Sequence, residues 1–174
     1  PVIDPRIELL RRACKEAQAI FTSALKAPVG QAAMRYLRER GLSRRIIEAA
    51  GIGFAPFDAL EHHRCKDSEM LADAGLLIGR NLLFANRIIV PVADEQGRPI
   101  GFVGRRLPGD EKGGKYINPP ATLLYEKNKV LYGLDRARRA LRSGKPLILV
   151  EGPLDVIALE QFGIEGAVAS SGTA

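Results

Sequence analysis

Two carboxylates, Glu151 and Asp155, are the residues of this chain best suited to chemistry. Residues 149–156 read Leu-Val-Glu-Gly-Pro-Leu-Asp-Val and continue an apolar run that begins after Lys145-Pro146. A buried strand that stops at an acidic residue, turns on a glycine and enters a helix places a carboxylate at the strand's carboxyl edge, where ligands and metals bind in open α/β sheets. The alternative interpretation is a strand-end acid followed by a helix N-terminal acid that accepts from free amides.

The composition excludes several classes of protein. The chain has 174 residues, of which 46% are hydrophobic and 26% charged, as in a soluble globular protein rather than a disordered one. No apolar run approaches the roughly 20 residues that a membrane helix needs, and residues 1–12 lack the apolar core of a secretory signal. Cys14 and Cys65 form no paired motif. We therefore expect a cytoplasmic protein with no membrane partner.

The positive charge is concentrated in the middle of the chain. The net charge is +6, and residues 80–145 contain 14 Lys and Arg against 6 Asp and Glu. A basic excess confined to one region indicates a surface that meets polyanions. A solvated basic face is the alternative, above all for the arginines between residues 136 and 142.

Hydrophobic spacing predicts that the first 80 residues are mainly helical. An amphipathic helix is predicted over residues 5–25, where Ile7, Leu10, Cys14, Ala17, Phe21 and Leu25 recur three or four positions apart. Three further helices are predicted: over residues 29–40, from the capping residue Ser43 to near Gly51, and from Ser68 to Gly75 or Gly79.

Strand patterns begin at Asn86. Residues 87–92 and 99–105 are strand-like and flank a turn cluster at 94–98, which predicts a β-hairpin. A short strand is predicted over residues 115–118.

The last part of the chain alternates strand and helix. A basic helix over residues 134–143 precedes a strand at 147–151, a helix at about 155–162 and a strand at 166–170. This order is one βαβ unit, with parallel strands and a right-handed crossover. The predicted fold class is α+β: a helical N-terminal region, an antiparallel hairpin region and a truncated α/β unit.

Several segments together resemble one family, the catalytic core of bacterial DnaG-type DNA primases. The matching segments, in family order, are residues 36–42, 51–56, 86–91, 101–105, 115–119, 131–134 and 151–155. The last of them, Glu-Gly-Pro-Leu-Asp, resembles the opening of the Toprim fold shared by topoisomerases and primases. The resemblance implies a primase core N-terminal subdomain over residues 1–144 and a partial Toprim domain over 145–174.

The implied activity is that of a DNA-directed RNA polymerase that synthesises short RNA primers on a single-stranded DNA template. Nucleotidyl transfer of this kind uses divalent metal, and Mg²⁺ takes only a few carboxylates, so the resemblance implies Mg²⁺ or Mn²⁺ bound by Glu151 and Asp155 as metal ligands and catalytic residues. It also implies that ribonucleotides, a replicative helicase and single-strand-binding protein are partners. The family usually has a bulkier residue where Pro153 stands, and this departure leaves both carboxylates in place.

The resemblance further implies a surface for template and nucleotide. Its residues are Arg40, Arg105, Lys115, Asn118 and Lys127, whose side chains bind phosphates with little regard to sequence. Tyr116 and Tyr132 are candidates for stacking on bases. Of these we expect Tyr132 to pack internally, since it lies between Leu131 and Leu134.

The resemblance also implies features that this sequence lacks. The Toprim metal site is completed by a later Asp-x-Asp, which occurs nowhere in the 174 residues, and the zinc-binding domain that precedes the core is absent. We therefore expect a fragment that is inactive in isolation. His62, His63 and Cys65 supply too few ligands for structural zinc, so zinc is not expected in this segment.

Two other functions stay open. One is a non-catalytic module that binds single-stranded nucleic acid. The other is a plasmid or phage Toprim primase or primase–helicase, although the sequence contains no Gly-x-x-x-x-Gly-Lys-Ser/Thr phosphate loop.

Overall fold

The computed structural model describes residues 4–110 and 113–170, with the side chains of residues 64 and 65 left out. The helices are α1 (Pro5–Lys26), α2 (Gln31–Glu39), α3 (Arg44–Ala49), α4 (Glu61–Lys66), α5 (Ser68–Asp73), α6 (Leu134–Arg142) and α7 (Pro153–Gln161). The strands are β1 (Gly53–Ala55), β2 (Leu77–Ile78), β3 (Asn81–Leu82), β4 (Arg87–Ala93), β5 (Pro99–Arg106), β6 (Tyr116–Ile117), β7 (Leu131–Tyr132), β8 (Ile148–Val150) and β9 (Ala167–Ser170). Short 3-10 turns cover Pro28–Gly30 and Lys127–Lys129.

Helix α1 is the predicted amphipathic helix. The Asp4 side chain caps it by accepting a hydrogen bond from the Arg6 amide, and Pro5 occupies its first turn. The buried face contains Leu10, Ala13, Cys14, Ala17, Phe21 and Leu25, five of the six positions predicted plus Ala13. The sixth predicted position, Ile7, is only half-buried.

The other predicted helices are present with small shifts at their ends. Helix α2 begins at Gln31 after a 3-10 turn, and the Ser43 hydroxyl caps α3 by accepting from the Ile46 amide at 3.3 Å. The sequence did not predict α4 or the strands β1, β2, β3 and β7. Helix α4 has six residues, β1 has three, and β2, β3 and β7 have two each. Such lengths are too short to show periodicity, and the pairing of β1 with β4 spans more than 30 positions.

The predicted hairpin is the centre of a four-stranded antiparallel sheet of order β1-β4-β5-β6. Both faces of β4 are buried. Ile88, Val90 and Val92 face one core, which also contains Leu154 and Val156 of α7, because alternate residues of a strand point to opposite sides. Ile89 faces the other core together with α1.

The βαβ unit forms as predicted, with β8 and β9 parallel and α7 between them. Strand β7 adds to the same sheet, antiparallel to β9, giving the order β7-β9-β8. Residues 131–132 therefore share a sheet with residues beyond 145. Tyr132 on β7 is buried, with 2% of its surface exposed, which confirms the expected internal packing.

The described helices include none that is both long enough and apolar enough to cross a bilayer. The mixed helix-and-sheet class is confirmed.

Phe102 on β5 lies at the centre of the core beneath α1. Its ring meets those of Phe21 and Phe84 edge-to-face, with centroids 5.5 and 6.4 Å apart. Phe102→Ala should lower the free energy of unfolding by about 3–5 kcal/mol, because it removes a buried ring and leaves a cavity. The matched control is Phe57→Ala, because the Phe57 ring is 72% exposed. Urea denaturation of both variants measures the change, and the control should alter the free energy of unfolding by no more than about 0.5 kcal/mol.

Asp94 ties the β4–β5 turn to α1. Its carboxylate accepts from Arg11 Nη1 at 2.7 Å and from Arg98 Nε at 2.9 Å, as well as from the amides of Gln96 and Arg98. Burial raises the pKa of Asp94, but these hydrogen bonds outweigh burial and lower it from 3.8 to about 2.

A folded-state pKa below the unfolded value stabilises the protein above the unfolded pKa, and this contribution disappears as the pH falls through the folded pKa. Asp94→Asn should therefore cost on the order of 2 kcal/mol near neutral pH, and the difference from the wild type should shrink between about pH 4 and pH 2. Denaturation at a series of pH values measures this difference. A gap that stays constant down to pH 2 would contradict the assignment.

Candidate functional site

Glu151 lies where the sequence pattern predicts, immediately after a strand of the βαβ unit. Strand β8 ends one residue earlier than expected, and the Glu151 side chain is exposed. Gly152 then leads into α7, which starts at Pro153. Gly152 has an extended φ of −151°, so no sharp turn requires glycine here. A Cβ at this position would instead lie 3.3 Å from the Tyr116 hydroxyl, and this close approach is what favours glycine.

The carboxylate of Asp155 is held on both sides. Oδ2 accepts a hydrogen bond from the Gly152 amide at 3.1 Å. Oδ1 lies 3.7 Å from Arg40 Nη2, and both side chains are about two-fifths exposed. The first contact is the helix-terminus role that the alternative interpretation predicted, and the second joins Asp155 to a basic residue of the N-terminal helices.

Arg40 belongs to a cluster of two arginines and two tyrosines, which we call the Arg–Tyr cluster: Tyr36, Arg40, Arg105 and Tyr116. Arg105 Nη2 donates to the Tyr36 hydroxyl at 2.6 Å, and Arg40 Nη1 donates to the same oxygen at 3.4 Å. The Arg105 guanidinium also lies over both rings, 5.7 Å from the centroid of Tyr36 and 5.0 Å from that of Tyr116. The cluster thus joins α2, β5 and β6 at the start of α7.

The hydrogen bonds of the cluster favour the charged form of Arg40 and orient the Tyr36 hydroxyl. Burial raises the pKa of Tyr36, but hydrogen bonds from Arg105 and Arg40 outweigh burial and the net pKa is lowered. The hydrogen bond to Tyr36 raises the pKa of Arg40. Burial raises the pKa of Tyr116, so this phenol stays neutral beside the guanidinium of Arg105.

Arg105 is the most confined charge of the site. Only 8% of its surface is exposed, and among the described residues its Nε has no hydrogen-bond partner. A buried donor without a partner costs about 1–3 kcal/mol. Unpaired buried polar groups of this kind coincide with functional sites or with ordered water.

The other predicted nucleotide-binding residues are not members of the Arg–Tyr cluster. The Lys115 side chain is exposed just before β6, Asn118 is half-buried just after β6, and Lys127 is exposed in a 3-10 turn. Within residues 4–110 and 113–170, none of these three side chains forms an ion pair or hydrogen bond with Glu151 or Asp155.

The sequence reading missed Tyr36 and the buried Arg87. Tyr36 precedes Arg40 by four positions on α2, so helical spacing was a signal that the two side chains meet. Arg87 is 4% exposed, and its Nη1 donates to the Gly114 carbonyl at 2.9 Å, directly before Lys115. This bond holds the approach to β6 in place.

The donors present fit a magnesium-type ion only in part. Glu151 and Asp155 are oxygen ligands of the kind that Mg²⁺ takes in small number. In the part of the chain that the structure describes, no group of three or more His, Cys, Asp or Glu side chains is placed to hold a metal. The His62 and His63 rings lie 5.8 Å apart, and the Cys65 side chain is outside the described residues.

Comparison with known proteins identifies the family. A model of the DNA primase catalytic core, N-terminal domain, matches residues 20–138. The DNA primase of Synechococcus elongatus is 40% identical over 182 residues, which cover 97% of this chain and 26% of the relative. The DNA primase of Deinococcus radiodurans is 44% identical over 165 residues, which cover 88% of this chain and 28% of the relative. The chain thus spans about a quarter of the length of these relatives.

Solved structures of DnaG primases are also similar to this chain. A DnaG primase catalytic domain bound to single-stranded DNA matches with a TM-score of 0.88 at 36% identity, covering 97% of this chain and 55% of the other. The RNA polymerase domain of Mycobacterium tuberculosis DnaG, in complex with double-stranded DNA carrying a 6-nucleotide overhang, matches with a TM-score of 0.88 at 37% identity, covering 96% and 55%. Because the family model matches well over half of its residues, the chain belongs to the family of DnaG-type DNA primase catalytic cores.

Proposed function

We propose that this chain is part of a DNA primase that synthesises short RNA primers on single-stranded DNA by metal-dependent nucleotidyl transfer. The observation that carries the proposal is the contact between Asp155 at the start of α7 and the Arg–Tyr cluster, through Arg40 at 3.7 Å. This contact brings one carboxylate of the proposed metal site beside a cation that can bind phosphate, and both kinds of group stabilise charge in phosphoryl transfer.

Glu151 and Asp155 are the proposed ligands of Mg²⁺ or Mn²⁺. When bound, the ion would help to activate the attacking oxygen and to neutralise charge on the leaving pyrophosphate. Glu151 contributes an exposed carboxylate. Asp155 contributes one whose orientation is fixed by the Gly152 amide and which lies 3.7 Å from Arg40.

The cations of the site are proposed to hold template and incoming ribonucleotides. Arg105 is suited to this role, because its guanidinium is already held over two tyrosine rings. Its side chain therefore loses little conformational entropy when it binds a phosphate. Arg40, Lys115, Asn118 and Lys127 would complete the surface. One face of Tyr116 is covered by Arg105, so we assign it to holding that guanidinium rather than to stacking on a base.

The remaining expectations concern the whole protein. A replicative helicase and single-strand-binding protein are its proposed partners, and the cytoplasm its proposed location, since a primase acts at replication forks. A non-catalytic nucleic-acid module is the alternative, and the next experiment separates the two.

In the full-length protein, Glu151→Gln should reduce primer synthesis with Mg²⁺ or Mn²⁺ by at least about 100-fold, because the amide no longer supplies a charged metal ligand. Binding of single-stranded DNA should change less than about twofold, since phosphate contacts come from the cations. The matched control is Glu165→Gln, which removes an exposed ion pair with Lys145 in the same unit and should leave synthesis unchanged.

Primer synthesis that survives Glu151→Gln would remove Glu151 from the metal site. Absence of synthesis by the wild-type protein, with DNA binding intact, would support the non-catalytic module.

Arg105→Lys keeps the charge but loses the planar guanidinium that lies over the rings of Tyr36 and Tyr116. The KM for ribonucleotides should rise roughly 10- to 100-fold, because the loss of about one charge-assisted hydrogen bond weakens binding by that factor. Steady-state primer synthesis measures KM and kcat separately. Arg106→Lys is the matched control, because the neighbouring side chain is half-exposed and donates to the Gly113 carbonyl outside the cluster. Equal effects of the two substitutions would contradict a special role for Arg105.

A further inference from the structure

Helices α2 and α3 carry arginines that the proposed active site does not use. Arg35, Arg38 and Arg44, together with Lys26, line a groove of about 670 Å³ between the end of α1, α2 and the start of α3. We call it the α2–α3 groove. All four side chains are exposed, and Arg45 is exposed beside Arg44.

The arginines of this groove differ from its lysine in their contacts. Lys26 pairs with Glu48 at 3.3 Å. In contrast, Arg35, Arg38, Arg44 and Arg45 form no side-chain hydrogen bond or ion pair within residues 4–110 and 113–170. Glu39 is the one acidic residue among those lining the groove. Several unpaired guanidinium groups along one groove produce a positive potential that attracts anions.

The groove adjoins the proposed active site through a single short loop. Arg38 and Arg44 also line a smaller depression formed by residues 41–43. This loop is fixed to α7 by Gln161, whose Nε2 donates to the Gly41 carbonyl at 2.9 Å and whose Oε1 accepts from the Ser43 amide at 2.6 Å. Arg40, which faces Asp155, directly precedes the loop. Helical spacing puts Arg35 and Arg38 on a different face of α2 from the residues of the Arg–Tyr cluster, so a strand bound to both must cross this loop.

The lining of the groove favours a nucleic-acid backbone over a protein. Its apolar members are the buried Leu25, the half-buried Met34 and a half-buried alanine, Ala27, and the rest of the lining is mostly long polar side chains. The centres of protein–protein interfaces are instead apolar or aromatic and poor in charge. Phosphodiesters need only cations at a spacing that flexible side chains can adopt, and arginine binds them without reading sequence.

We infer that the α2–α3 groove binds the phosphate backbone of single-stranded DNA and extends the template contact beyond the Arg–Tyr cluster. The inference rests on the proposed primase function, because it takes the template as the strand that reaches the groove. The binding itself requires neither metal nor nucleotide.

The test measures binding of a fluorescein-labelled single-stranded DNA of mixed sequence to the full-length protein, without metal or nucleotide, over a range of salt concentrations. Each phosphate contact contributes about 0.7 to the slope of log affinity against log salt for single strands. The double variant Arg35→Gln/Arg38→Gln should therefore reduce the magnitude of the slope by about 1.4 and weaken binding by about 25-fold at 0.1 M salt.

Helix α6 offers a matched control. Arg139→Gln/Arg142→Gln removes the same charge at the same spacing from another nine-residue helix. We expect this control to retain the wild-type slope. Circular dichroism and the thermal midpoint verify that both variants are folded.

If Arg35→Gln/Arg38→Gln leaves the slope of log affinity against log salt unchanged, the inference is overturned. An acidic protein surface would then be the remaining candidate partner of the groove. Equal losses in the two double variants would also overturn it, since they would reflect net charge alone. The outcome is independent of the primase proposal. Failure of wild-type primer synthesis rejects that proposal without altering the binding result, whereas a negative binding result leaves Glu151 and its test untouched.

Discussion

The position of the Arg105 guanidinium between two tyrosine rings is the interaction on which the geometry of the site depends. Tyr36 comes from α2, Arg105 from β5 and Tyr116 from β6, and the Tyr116 hydroxyl lies against the position of Gly152. Four elements are therefore held together around one charge. A buried cation is costly unless it is paired and hydrogen-bonded, so this arrangement persists only because the Tyr36 hydroxyl and both ring faces stabilise it.

The hairpin that carries Arg105 is fixed from both sides. Strand β4 is buried on both faces, between the core under α1 and the core that includes α7. Residues two apart on a strand share a face, so Arg105 lies on the same side as Val103, which belongs to the core shared with α7. The register of one hairpin thus decides which arginine reaches the candidate site, and a slip of one residue would present Arg106 instead.

Much of the fold could be predicted because its helices and turns depend on residue patterns that are local in the sequence. The spacing of apolar residues in α1, the cap at Ser43 and the turn cluster around Asp94 each act within a few residues, and all three were read correctly. Strands β1 and β7 were missed because they have three and two residues and form only by pairing with distant strands. The sequence indicated a turn at Gly152, but which group approaches that glycine, the Tyr116 hydroxyl, depends on a strand more than 30 positions away.

The α+β class, the order of the elements and the placement of Glu151 just beyond a strand follow from the amino-acid sequence, because periodicity and turn residues are local properties. The contact of Arg40 with Asp155 and that of Tyr36 with Arg105, across 69 positions, could not be predicted from it. Such pairs depend on how two cores pack against one hairpin. The two carboxylates could therefore be predicted from the sequence. The contacts that bring the Arg–Tyr cluster next to Asp155 depend on tertiary packing.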